Sequence, residues 1–352
     1  MLLRLADEHG LVPLLHEHLL GVGAKKAPAE FFSQLQSLSR ETALRGLFLS
    51  AELFRVLASL RQSGIPAIPY KGPVLAARAF GNPALRQFND LDIVIPQRFM
   101  PVVFEQMSAL GYISKLPRDR FPSGVSRIIP GEYVFLHSAN RAMVEIHTER
   151  TLRHFPTALD LDAMISRATT VEMGGREVPA FSREDELLML AVHGAKDFWA
   201  RLIWVADIAE LVKQPPEIAW KELFDRANEM KLGRMLRLGL LLARDLLGLP
   251  LSTEADREVR KYAQAAKFAR RIRAQVLSGA LPPNGILQRS AYRIGMVEGI
   301  WSGLRYWLRL STAPAEEDWS MLDVPQPLER SYAILRPLRL WKKYGRRRTS
   351  RS

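Results

Sequence analysis

Two aspartates, Asp90 and Asp92, stand one residue apart at the head of the run "LDIVIP". In an extended chain, residues i and i+2 project to the same face, so the two carboxylates point together while Leu91 turns the other way. Ile93, Val94 and Ile95 mark the rest of this strand as buried. Carboxylates at the start of a buried strand are costly unless something positive sits beside them. Two hard oxygen ligands on one face suit a hard cation such as Mg²⁺. A third acid, Glu145, lies in "MVEIHTE" between Val144 and Ile146, in strict alternation, with His147 on its own face. If the two strands are neighbours, three carboxylates converge. Acids cluster in that way only around a strong positive charge, because like charges at close range otherwise force protonation. His147 either orders Glu145, contacts a substrate, or packs at a strand end.

Cationic groups flank these acids. Lys71-Gly72 follows the short segment "IPAIPY". A glycine there lets backbone N–H groups approach phosphate oxygens, and Lys71 adds a point charge suited to a triphosphate. The same dipeptide also reads as an ordinary turn. Arg86, four residues before Asp90, is within reach of the same phosphates. Further along, "LLMLAVHGAKDFWARLIWVADIAEL" carries His193, Lys196 and Asp207. The first two are i, i+3 neighbours, and Asp207 lies eleven residues beyond Lys196, close to three turns, so all share a face if one helix runs through. A functional reading sets them at a cleft, on nucleotide or acceptor. A structural reading buries His193 with a carboxylate and pairs Asp207 with Lys196. Trp199 and Trp204 read as core. His16 and His18, at i, i+2 on a helix, do not share a face, so no metal site is read there.

The elements that must position these residues give an α+β fold class. Residues 1–64 read as helices: "LADEHGLVPLLHEHLLG", then a long helix opened by Pro28 and closed at Gly64. Residues 65–181 alternate as β-α-β-α-β-β around a small mixed sheet, with a late hairpin at Gly174-Gly175. Helix "PVLAARAF" and helix "QRFMPVVFEQMSALGY", closed by Gly111, lie between the strands. Residues 182–330 form a C-terminal helical domain, opened by Ser182 as a cap and including "DELLMLAVHGAKDFWARLIWVADIAELVK" as one stretch. Residues 331–352 are a basic tail.

Composition narrows the function classes. The 352 residues carry 47 % hydrophobic and 25 % charged side chains, as a soluble globular protein does. No apolar run is long enough to cross a membrane, the first ten residues lack the order of a signal peptide, and thiolate sites are excluded by the absence of cysteine. A cytoplasmic location follows as the expectation. Net charge is +13, and the tail from Ser331 contributes eight of the Lys and Arg residues with no acid. It reads as a solvated tail or as a contact for RNA or another polyanion, where Trp341 and Tyr344 would stack on bases.

The order Lys71-Gly72, a helix, Arg86, Asp90-x-Asp92 and then Glu145 resembles the DNA polymerase β-like nucleotidyltransferase superfamily. With His147, His193, Lys196 and Asp207 it looks like the bacterial family of uncharacterised nucleotidyltransferases, over about residues 1–250. The resemblance implies a small mixed-sheet nucleotidyltransferase core and transfer of a nucleoside monophosphate from an NTP, with ATP the expected donor. The acceptor stays open among small molecule, peptide, protein and RNA. Asp90, Asp92 and Glu145 would hold two Mg²⁺ ions, with Mn²⁺ as a substitute. Lys71, Gly72, Arg86, His193, Lys196 and Asp207 would face the nucleotide. One departure is Pro73, where the wider superfamily has Ser or Gly; proline removes a backbone donor. The alternative is therefore a protein that keeps the fold and binds nucleotide or RNA without catalysis.

Overall fold

The computed structural model describes residues 1–23, 27–114, 131–149, 160–278 and 286–308, the last without 297, 300, 302 and 307. The expected basic tail lies outside the described residues.

A five-stranded mixed sheet has the order β1-β2-β5-β4-β3. Its strands are β1 (Ile68–Tyr70), β2 (Leu91–Val94), β3 (Tyr112–Ser114), β4 (Glu132–His137) and β5 (Met143–His147). β2 and β5 run parallel, and the other pairs are antiparallel. The α+β class expected from sequence is the one observed. β3 was not expected: three residues after a helix-closing glycine are too short to show an alternation of their own.

The period of the strands sorts their side chains into two compartments. Leu91, Ile93, Ile95, Val144, Ile146, Tyr133 and Phe135 join Leu53, Val56 and Leu60 of α3 (Ala29–Gln62) and Val103, Phe104 and Met107 of α5 (Met100–Ala109) in one apolar cluster. Ile68, Tyr70 and Val94 belong instead to a second cluster, shared with the C-terminal helices. Asp92, between Leu91 and Ile93, therefore faces those helices. α3 runs unbroken for 34 residues. The first helical stretch is divided into α1 (Leu2–Glu8) and α2 (Val12–Val22), because Gly10 between them takes φ +73°.

α4 (Gly72–Phe80) leads from β1 towards β2. Beyond α6 (Leu161–Ser166), the hairpin β6 (Thr169–Met173) and β7 (Arg176–Ala180) turns at Gly174-Gly175 as expected. Ser182 then caps α7 (Arg183–Lys196), its hydroxyl accepting from the Asp185 N–H.

The expectation of one helix from Asp185 to Lys213 is corrected. α7 stops at Lys196, and α8 (Leu202–Lys213) starts afresh. Phe198 and Trp199 between them take positive φ, and Trp199 is fully buried against Gly194 and Gly239. Burial of that indole outweighs the preference for continuing the helix. α9 (Trp220–Glu229), α10 (Gly233–Leu247), α11 (Thr253–Arg260), α12 (Ala263–Ser278) and α13 (Ile286–Met296) complete the helical region. Among the described residues no helix is long and apolar enough to cross a membrane.

Candidate active site

The parallel pairing of β2 with β5 sets Asp92 opposite Glu145. The antiparallel pairing of β5 with β4 sets His147 opposite Glu132. Four polar groups therefore emerge from three adjacent strands towards α7. His147 Nε2 lies 2.9 Å from Asp92 Oδ1 and 3.9 Å from Glu145 Oε2. Lys71 Nζ donates to the same Asp92 Oδ1 at 2.9 Å. One ligand atom from each of Asp92, Glu145 and His147 can be chosen so that all lie within 4.8 Å of one another. Asp90 stands outside this tight group but lines the same cavity, which has a volume of about 350 Å³. The structure thus brings the two strand acids together as the sequence pattern anticipates, with His147 rather than Asp90 completing the closest trio.

The acids are in unequal surroundings. Burial opposes ionisation of Asp92, yet Lys71 and His147 hold its carboxyl far below the usual carboxylate range. Glu145 is pushed up to about 7 by burial and then by the neighbouring charges of Asp92 and Glu132. Burial and Asp92 also raise Asp90, against the pull of Lys71 and Arg86. Glu132 is held low, against burial, by His147 and Lys196. The site therefore concentrates more negative charge than its own cations neutralise. Oxygen donors under mutual repulsion are the chemistry that a hard divalent cation relieves, so Asp92 and Glu145, with Asp90 beside them, fit such an ion.

The basic side of the site begins at Lys71, which has φ +58° and ψ −152°. A non-glycine residue there costs about 1–3 kcal/mol and persists only where its surroundings demand it. Gly72 follows with φ +47° at the start of α4. Pro73 stands in the first turn of that helix, where it supplies no N–H.

Arg86 lines the cavity beside the strand acids, whereas Asp207 lies behind its wall and not at the cleft. Arg86 Nε and Nη2 donate to the two oxygens of Asp207 at 2.7 and 2.8 Å, and Asp207 is fully buried. Asp207 thus pairs with Arg86 and not with Lys196, because the break between α7 and α8 rotates it away from the Lys196 face. Lys196 reaches across to Glu132 at 3.7 Å. His193 Nδ1 lies 3.4 Å from Asp197 Oδ2, with its ring edge-on to Trp204, and burial followed by the charge of Lys71 keeps it well below the ordinary histidine range. His193, Lys196 and Trp204 all line the cavity.

Glu132 was not singled out from sequence. Its only signal is an acid heading the apolar strand "EYVFLH", which reads as solvent-facing until the register with His147 is known. Asp197 and Arg201 are likewise cavity residues that only the inter-helix turn reveals.

Comparison with solved structures gives low-identity likenesses. A lincosamide antibiotic adenylyltransferase, LnuA, in its lincomycin-bound form, is 17 % identical, with 46 % of this chain and 96 % of that chain covered and a TM-score of 0.34. ANT(2")-Ia in complex with adenylyl-2"-tobramycin is 13 % identical over 63 % of this chain and 97 % of that one, with a TM-score of 0.30. A nucleotidyltransferase-like protein from Paracoccidioides brasiliensis is 15 % identical over 52 % and 89 %, with a TM-score of 0.33. A search of curated proteins returned no match. A family profile described as "Uncharacterised nucleotidyltransferase" matches residues 1–248, well over half of the chain. The strand acids, the Lys71-Gly72 turn and the α7–α8 wall all fall within that span, and the chain belongs to this uncharacterised nucleotidyltransferase family.

Proposed function

We propose that the cavity between the sheet and α7 transfers a nucleoside monophosphate from an NTP, with ATP the expected donor, to an acceptor nucleophile, releasing pyrophosphate. An acceptor oxygen forms the new bond to the α-phosphorus as the bond from that phosphorus to pyrophosphate breaks. Asp92 and Glu145, with Asp90, would hold two Mg²⁺ ions, for which Mn²⁺ would substitute. When bound, such ions neutralise triphosphate charge and lower the pKa of an acceptor hydroxyl.

The chain's own groups position the reactants. Lys71 and Lys196 line the cavity as point charges for phosphate oxygens. Arg86, held by Asp207, adds a fixed positive charge to the wall. The indole of Trp204 and the ring of His193, set edge to face at 75°, give the helical side aromatic surface for a base or an acceptor. Charge neutralisation and alignment supply most of the rate in phosphoryl-type transfer.

The observation that carries this reading is the pairing of Asp92 with Glu145 across parallel strands, with Glu145 pushed up to about 7 by burial and then by its acidic neighbours. Incubation with α-phosphate-labelled NTPs, Mg²⁺ and host extract should label an acceptor with the wild-type protein and not with Asp92→Ala. Absence of labelling with all four NTPs would contradict it.

Pro73 favours a second reading, binding without catalysis, since the first turn of α4 lacks one phosphate-facing donor. That reading requires nucleotide or RNA binding to survive both Asp92→Ala and Asp90→Ala. RNA binding through the basic tail would also weaken steeply with salt.

A further inference from the structure

The cation already resting on the strand acids is Lys71. Its ammonium sits 2.9 Å from Asp92 Oδ1, and both side chains are almost fully buried. The ammonium also lies 4.8 Å from the centre of the Tyr70 ring. The left-handed backbone at Lys71, followed by another positive φ at Gly72, delivers the side chain to this spot immediately after β1. Burial disfavours the charged amine, and the Asp92 carboxylate outweighs that, so the ammonium form is favoured.

Arg86 provides the contrast. It grips Asp207 through two parallel bonds and has no freedom to leave. Lys71 holds Asp92 through one contact from a rotatable stem, so it can turn to another anion if one is offered. Removing its partner without offering another would strand a buried charge.

We propose that Lys71 is a tethered counter-ion that competes with free divalent cations for Asp92, so that the strand acids accept a cation delivered together with a triphosphate and discriminate against the metal alone. The triphosphate supplies the anion to which the displaced ammonium moves. This rests on the nucleotidyltransferase reading of the same acids and adds a selection step to it. Lys71 acts here as a specificity-determining residue: the pair it makes with Asp92 is exchanged, ammonium for metal on the carboxylate and carboxylate for phosphate on the ammonium.

The test is Mn²⁺ binding followed by electron paramagnetic resonance, with no nucleotide present, on the full chain. Lys71→Gln and Lys71→Met should bind Mn²⁺ at least tenfold more tightly than the wild type, and Lys71→Arg should stay close to the wild type. Asp92→Asn should abolish the gain in a double variant. Equal Mn²⁺ affinity for wild type and Lys71→Gln, with both losing it on Asp92→Asn, would overturn the counter-ion role while leaving the metal site intact. Mn²⁺ binding by none of these proteins, with or without a non-hydrolysable NTP, would overturn both. Should the neutral variants fail to fold, amine acylation of the wild type decides the point. Lys71 should become more reactive in saturating Mn²⁺ and fall back when the non-hydrolysable NTP is added, and unchanged reactivity in Mn²⁺ would refute the exchange.

Discussion

Carboxylates withdrawn from solvent occur on the sheet side of the cavity and in the helices behind its opposite wall, and their partners differ. Among the described residues, each fully buried carboxylate of the helices is matched by arginine. Asp207 is held by Arg86, Glu186 by Arg78, and Asp185 by both Arg167 and Arg226. On the sheet side Asp92, Glu145, Glu132 and Asp90 crowd together with lysine and histidine between them, and Glu145 is driven up to about 7. A bidentate arginine closes a carboxylate's chemistry, whereas crowding keeps it available to a ligand. The first wall reads as a set of bolts and the second as a site.

Substitution on the sheet side should affect activity most. Asp92→Asn, and likewise Glu145→Gln, should lower NTP-dependent labelling by about a thousandfold, roughly 4 kcal/mol of transition-state stabilisation. Retained labelling would remove the distinction between the walls.

On the helical side the loss should appear as stability. Asp207→Asn leaves the Arg86 guanidinium buried without its charge partner and should cost about 3–5 kcal/mol in urea denaturation. Unchanged stability together with lost nucleotide affinity would make Asp207 a ligand group after all.

A smaller effect tests the turn that separates the two helices of this wall. A Cβ at Gly194 would meet the Trp199 ring at 2.5 Å, so Gly194→Ala should destabilise by about 1–3 kcal/mol. A neutral result would mean that the indole does not fix the break. The smallest expected change is at an exposed pair: Lys213→Ala, which removes the contact to Glu210, should shift stability by less than about 0.5 kcal/mol.

The two walls also differ in how far they can be read from sequence. The sheet side is written in a period of two. Leu91, Ile93 and Ile95 alternate with Asp92, and Val144 and Ile146 flank Glu145, so each acid declares its face before its neighbour is known. Glu132 escapes because an acid at a strand start has no apolar residue before it to make its burial visible. The helical side depends on a break that no glycine or proline announces at Phe198 and Trp199, since packing of the indole imposes it. Once the helix is broken, the eleven-residue spacing from Lys196 to Asp207 loses its meaning, and the Arg86 partner lies 121 residues away in the chain. Long-range ion pairs of this kind leave no local trace.

A crystal structure of the full chain with Mn²⁺ and a non-hydrolysable NTP tests the central claim most directly. The account predicts an anomalous peak at about 2 Å from carboxylate oxygens of both Asp92 and Glu145, with the triphosphate against it. A nucleotide bound elsewhere, or a metal that touches neither carboxylate, would contradict it.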